Sequence, residues 1–163
     1  MRSRNSTAKG APGAAIRVRR ARASDLPAVR ELYRQLHLDN YRETEVSPAK
    51  MRRQFAKLAR DPRHHLLIAE SGGRIVGTTH VIVVPHLGHA LKPFVVVENV
   101  VVDASARASG IGRALMAEAG RIARRHGCYK ISLTTNLRRR GAHRFYRRLG
   151  WRKSHFGYSL GLE

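Results

Sequence analysis

Apolar positions recur along this chain in two periods. In Ile16-Arg17-Val18-Arg19 they alternate with charge, the period of a half-buried strand. Ser24-Asp25 precedes Leu26-Pro27, and Val29, Leu32, Tyr33 and Leu36 then fall at helical spacing, predicting a first helix to about Leu38. A polar segment, 39–47, leads to Pro48, which opens a second helix with Met51, Phe55 and Leu58 as its apolar stripe and Asp61-Pro62 as its stop. Residues 65–69 and 75–84 read as strands joined by the turn Glu70-Ser71-Gly72-Gly73-Arg74. The segment Pro85-His86-Leu87-Gly88-His89 breaks the pattern. Six valines between Val95 and Val102, interrupted by Glu98 and Asn99, predict a strand covered on both faces. A helix follows, with Ile111, Leu115, Ala119 and Ile122 on one face and Gly127 as its stop. Residues 129–135 read as a further strand, 140–149 as a short helix, and 151–160 as one or two final strands. The predicted order is β-α-α-β-β-β-α-β-α-β, a mixed α/β sheet.

At 163 residues the chain suits one core and a tail. Residues 1–15 combine Ser, Ala, Gly and basic residues without a periodic apolar pattern and read as a disordered basic tail, leaving 16–163 as a single domain. No apolar run reaches the roughly 20 residues of a membrane span, and no apolar central region suggests a secretory signal. The single cysteine, Cys128, excludes an internal disulfide and fits a reducing cytoplasm, where it reads as a small buried hydrophobe.

Charge changes the picture more. Against 11 acidic residues stand 32 Lys and Arg, a formal net charge of +21. Such a field attracts polyanions and repels polycations, so nucleic acid, a ribosomal partner or a phosphorylated cofactor is favoured over aminoglycosides and polyamines; an arginine-rich solvated surface is the plainer reading. His64, His65, His80, His86 and His89 match no zinc-ligand spacing, so no metal is expected and they read as loop and surface residues.

Where the valine strand ends, Arg107-Ala108-Ser109-Gly110-Ile111-Gly112 leads into a helix. Glycines 110 and 112 open the backbone to a ligand, and the first-turn amides with the helix dipole suit a phosphate or pyrophosphate. Taken alone, the segment is equally an ordinary strand-to-helix turn. Near the C-terminus stands Ala142-His143-Arg144-Phe145-Tyr146-Arg147-Arg148-Leu149-Gly150-Trp151. The first motif matches the Arg/Gln-x-x-Gly-x-Gly/Ala loop of the GCN5-related N-acetyltransferase family, and the second its Ala-x-x-Phe/Leu-Tyr-x-x-x-Gly-Phe/Trp helix. With the order of elements between them, the chain resembles that family from Ile16 to about Leu160.

The resemblance implies an α/β fold with a mixed, mostly antiparallel central sheet flanked by helices. It also implies an acetyl-CoA-dependent N-acetyltransferase acting on a primary amine of a small molecule or protein by direct attack in a ternary complex. By it, the CoA pyrophosphate lies on the backbone of Arg107, Ala108, Ser109, Gly110, Ile111, Gly112 and Arg113, and the pantetheine arm runs along Val100, Val101 and Val102. The Val100 amide is the oxyanion donor. Tyr146 meets the CoA sulfur and protonates the leaving thiolate; a phenol's pKa lies close enough to a thiol's for this. Many members carry Asn seven residues before that tyrosine. Here Arg139 stands there and Asn136 one turn earlier, so either contacts the cofactor.

An alkyl amine with a pKa of about 10.4 needs a base near neutral pH. Glu98, the one carboxylate in the valine strand, is the candidate, costly to bury unless it has work or a partner; an ion pair with an arginine is the alternative. Asn99 points to the opposite side of the strand unless a bulge intervenes. Tyr33, His37 and Tyr41 lie where the family shapes its acceptor pocket. The competing functions are a protein of this fold with a nucleic-acid or ribosome-associated partner, and a non-catalytic CoA sensor. A homodimer and cytoplasmic residence are expected by analogy.

Overall fold

The structure, a computed structural model, describes residues 15–36 and 46–162, so the predicted tail up to residue 14 and the candidates His37 and Tyr41 lie outside it. Two compact units are present, one ending at Ser132 and one beginning at Leu133. The first carries β1 (Arg17–Arg20), α1 (Leu26–Leu36), α2 (Pro48–Arg60), β2 (His64–Ser71), β3 (Arg74–Val84), β4 (Phe94–Val102), α3 (Ile111–Arg125) and β5 (Ile131–Ser132); the second carries α4 (Arg140–Arg148).

The five strands lie in chain order. The first four are antiparallel, and β5 joins β4 in parallel. This is the mixed, mostly antiparallel sheet that the sequence implies. Packing against α3 explains why Gly77 must be small: a Cβ there would lie 2.8 Å from Ile111 Cγ2 and 3.2 Å from Leu115 Cδ1. On that face Leu67, Ala69, Val81, Val95 and Val97 meet Leu115, Ala119 and Ile122, all at most 2 % exposed. Helix α1 packs on β3 and β4, and α2 on β2. Met51, Phe55 and Leu58 are half-buried, as the stripe predicts, and Ser47 caps α2 by accepting from the Lys50 amide at 3.3 Å.

One charged cluster braces the start of the fold. Arg19 donates to Asp25 Oδ2 at 2.7 Å and to Glu70 Oε1 at 2.5 Å, and the Arg22 amide donates to Asp25 at 2.7 Å. These bonds hold the buried Asp25 carboxyl below its ordinary pKa, the Arg19 hydrogen bond contributing most.

Two expectations need correction. The strand predicted over 129–135 is two residues long, and among the described residues no strand follows α4 where 151–160 was read as one or two. The alternation of Phe156, Tyr158 and Leu160 looks like half of a buried strand, yet these side chains are 81, 96 and 85 % exposed. Alternation sets which face a strand presents but supplies no neighbour to pair with, and a lone extended segment gains little. Gly157, between Phe156 and Tyr158, and Gly161, just after Leu160, weaken it further.

The histidines also depart from the surface reading. His65 is 7 % exposed, and His80 is half-buried in the middle of β3. Burial pushes each pKa down to about 4. They belong to β2 and β3, inner strands of the sheet against which α1, α2 and α3 pack.

Candidate active site

The valine strand is where the sheet stops being regular. His80 pairs with Glu98 and Thr78 with Val101, so two steps along β3 match three along β4. The extra residue is a β-bulge, and Asn99 occupies the left-handed region with φ of 52°. A hydrogen bond of 3.1 Å from Thr79 Oγ1 to the Glu98 carbonyl pins the distortion. On its other edge β4 pairs with β5 only through Val95 with Ile131 and Val96 with Ser132. Beyond Val96, the strand's backbone on that side has no sheet partner among the described residues.

Glu98 itself is exposed and forms no ion pair with the described residues. Its cost of burial, expected from the surrounding valines, is therefore absent, because the strand turns that position outward. As directly opposed partners, Glu98 and His80 share one face of the sheet. His64 and His80 lie beside each other there, Nδ1 to Nε2 at 3.0 Å. The sequence places both among its loop and surface histidines; the signal against that is the position of His80 in the middle of an apolar strand.

From β4 the chain enters a loop tied down by side chains. Asp103 Oδ1 accepts from the Ser105 amide at 2.8 Å and from its hydroxyl at 2.5 Å. Gln35 of α1 takes the Ala104 amide at 3.0 Å and donates to Asp103 Oδ2 at 3.3 Å. The Ser105 hydrogen bond leads in holding the Asp103 carboxyl below its ordinary pKa. Gln35 was not foreseen, because its partners lie nearly 70 residues away. Ser109 then closes on the Ala106 carbonyl at 2.5 Å. Ala108 and Gly110 take positive φ, 64° and 89°, which aims the chain into α3.

No side chain caps α3, and its first backbone bond runs from Ala114 to the Gly110 carbonyl. The amides of Ile111, Gly112 and Arg113 precede that bond, as an anion cradle requires. The Ile111 side chain points the other way, into the core, and is 2 % exposed. Arg107, Ala108, Ser109 and Arg113 are exposed; Val101 is buried, and Val100 and Val102 are half-buried. Tyr33 is half-buried on α1.

In the second unit, Asn136 organises the entry to α4. Its side-chain oxygen accepts from the Arg138 amide at 2.8 Å, and its carbonyl from the Arg139 amide at 3.0 Å. Arg139 is the residue before the first turn. Tyr146 is half-buried, its ring 5.0 Å from Phe145 and 5.8 Å from Trp151. The Trp151 amide returns to the Tyr146 carbonyl at 3.1 Å. Among the described residues no group of three or more His, Cys, Asp or Glu is placed to hold a metal ion.

This bulged strand, opened edge and uncapped helix coincide with a family match over residues 26–151, described as the acetyltransferase (GNAT) family. The chain belongs to that family. Aminoalkylphosphonate N-acetyltransferase of Salmonella typhimurium is 35 % identical over 120 residues, covering 74 % of this chain and 77 % of that protein. Glucosamine 6-phosphate N-acetyltransferase of Trypanosoma brucei brucei is 36 % identical over 80 residues, 49 % of this chain and 52 % of that one. Among solved structures, a candidate acetyltransferase of Agrobacterium tumefaciens superposes with a TM-score of 0.81 at 30 % identity, covering 89 % of this chain and 99 % of that one. The protein is thus an N-acetyltransferase, transferring an acetyl group to an amine, and neither the nucleic-acid nor the sensor alternative is favoured. No helix among the described residues is long and apolar enough to cross a membrane.

Proposed function

We propose that this acetyltransferase uses acetyl-CoA and acylates a small primary amine that also carries a phosphonate or phosphate group. The observation that carries the cofactor reading is the interrupted backbone of β4 beside the uncapped N-terminus of α3. An extended pantetheine arm can pair along Val100, Val101 and Val102 while the pyrophosphate rests on the backbone from Arg107 through Ala108, Ser109, Gly110, Ile111 and Gly112 to Arg113. Asn136 or Arg139 adds a cofactor contact. Tyr33, on α1, borders the acceptor.

In this reading the amine nitrogen attacks the thioester carbonyl directly, within a ternary complex. Its surplus proton passes to Glu98, the oxygen that becomes anionic is held by the Val100 amide, the carbon–sulfur bond breaks, and Tyr146 protonates the departing sulfur. The net charge of +21 supports an anionic acceptor, since the field draws in a phosphonate and repels a polycation. Both curated relatives described above take their names from acceptors with such a group. Cytoplasmic residence and a homodimer complete the proposal; light scattering in solution tests the dimer.

Steady-state kinetics with an aminoalkylphosphonate and with the matching aminoalkane test the acceptor. Loss of a charged hydrogen-bonding group should lower kcat/KM by at least about tenfold. Equal rates for the two amines would overturn the acceptor class. Tyr146→Phe should lower kcat by about 10²-fold or more and leave the Kd for CoA within a few-fold. A variant with unchanged kcat would remove the tyrosine from its role.

A further inference from the structure

We propose that the recess between the β1–β2 side of the sheet and the C-terminal half of α3 binds a small tetrahedral oxyanion of the phosphate or sulfate class. The site does not rest on the cofactor or acceptor reading. It lies at the far end of a 15-residue helix from the glycine loop, about 20 Å away at 1.5 Å per residue.

The recess has a volume of about 300 Å³ and is lined by Arg19, Arg20, His65, Leu67, Glu118, Ile122, Arg125 and His126. Since one water occupies about 30 Å³ in the liquid, an oxyanion fits with some of its hydration. One of the lining residues carries an unmet polar group. His65 is 7 % exposed, and its Nε2 is buried without a hydrogen-bond partner. Leaving such an atom unpaired costs about 1–3 kcal/mol, which an oxyanion recovers by accepting from it in the tautomer that carries the proton on Nε2.

The surrounding charges select the sign of the ligand. Three guanidinium groups and one carboxylate line the recess. Arg19 is committed to Asp25 and Glu70. The Glu118 carboxylate is engaged by Arg121 at 2.5 Å and more loosely by Arg125 at 3.7 Å. Arg20 spends one N–H on the His64 carbonyl at 2.6 Å, a neutral acceptor that leaves its positive charge uncompensated. The His126 ring stands edge-on to His65 with centroids 5.6 Å apart. Burial first, then the charges of Arg20, His126, Arg125 and His64, push the His65 pKa down to about 4. The same cations that oppose a proton on His65 favour an anion beside it, and a bound anion would draw the proton back.

Ring-nitrogen NMR of the full chain at pH 6, with CoA at saturation to occupy the other anion cradle, tests this. Titration with inorganic phosphate should shift the His65 ring signals saturably and raise that residue's pKa from about 4 toward 6.5. Sulfate should act alike, and chloride at equal ionic strength should not. Arg125→Gln, on an exposed side chain, should weaken phosphate binding about tenfold without unfolding the chain. No saturable shift at tens of millimolar phosphate, the same shift with chloride, or an unchanged affinity in Arg125→Gln would each overturn the site. Because the His65 signals report locally, they would still show whether this recess binds phosphate in a chain that failed to bind CoA.

Discussion

Lowering the pH from 7.5 to 4.5 should weaken this fold through His65 before its carboxylates are protonated. The residue titrates near 6.5 in an unfolded chain and at about 4 in the folded one. Between those values the unfolded state binds the extra proton, so stability that is complete above 6.5 is lost as the pH falls and bottoms out near 4. At 1.36 kcal/mol per pKa unit, about 2–3 kcal/mol is gone by pH 4.5, a large share of an ordinary domain's 5–15 kcal/mol. Screening takes little from this figure, because the residue is only 7 % exposed. Asp25 and Asp103 are held below the ordinary carboxylate range, so their contributions persist above about 3.9 and fade only at lower pH. His80, likewise displaced to about 4, is present in both proteins of a matched comparison and cancels. Urea unfolding of the natural chain and of His65→Leu, in phosphate-free buffer at both pH values, measures the effect. The variant should lose about 2–3 kcal/mol less than the natural protein on acidification. If the difference in unfolding free energy between the two proteins is the same at pH 7.5 and 4.5, His65 is not held neutral by the fold.

Gly77→Ala drives a methyl group to 2.8 Å from Ile111 Cγ2 and should cost about 1–3 kcal/mol in urea unfolding; a neutral result would mean that α3 yields easily. Asp25→Asn removes the charge facing Arg19 and should cost about 3 kcal/mol at pH 7, read by the same assay, whereas a loss below about 0.5 kcal/mol would mark the network as solvated. Gly110→Ala places a Cβ at φ of 89°, a strain of about 1–2 kcal/mol at the glycine loop. Calorimetry should then find acetyl-CoA bound about tenfold more weakly, and an unchanged Kd would detach the loop from cofactor binding.

The parts of this molecule that were legible in sequence are those set by local chemistry. Pro48 after Ser47 announces a helix start, the valine run announces a sheet strand, and Gly110 beside Gly112 announces the turn into α3. What escaped depends on partners distant in the chain. The Asn99 bulge is visible only as a mismatch of register against His80 and Thr78. Gln35 reaches Asp103 and Ala104 across the fold, and nothing in its own neighbourhood distinguishes it from a solvated glutamine. Glu98 shows the same limit from the other side: flanking valines suggested burial, but alternation along a strand decides exposure, and the carboxylate faces out. The final strands failed for a related reason, since Phe156, Tyr158 and Leu160 have the right period but no paired edge.

The two anion sites proposed at the ends of helix α3 have opposite physical characters. At its N-terminus the backbone amides and the dipole both favour negative charge, so recognition there is built into the main chain and should survive loss of any one arginine. At its C-terminus the dipole opposes an anion, and the last carbonyls are already occupied: Ile122 receives the His126 amide and Ala123 the Cys128 amide. Whatever binds behind His65 must therefore be held by side-chain cations working against the helix. This is why Arg125, exposed and only loosely tied to Glu118, is the residue whose neutralisation separates the rear recess from the glycine loop. A substitution that weakened both sites equally would point instead to the diffuse field of the +21 surface acting on every anion alike.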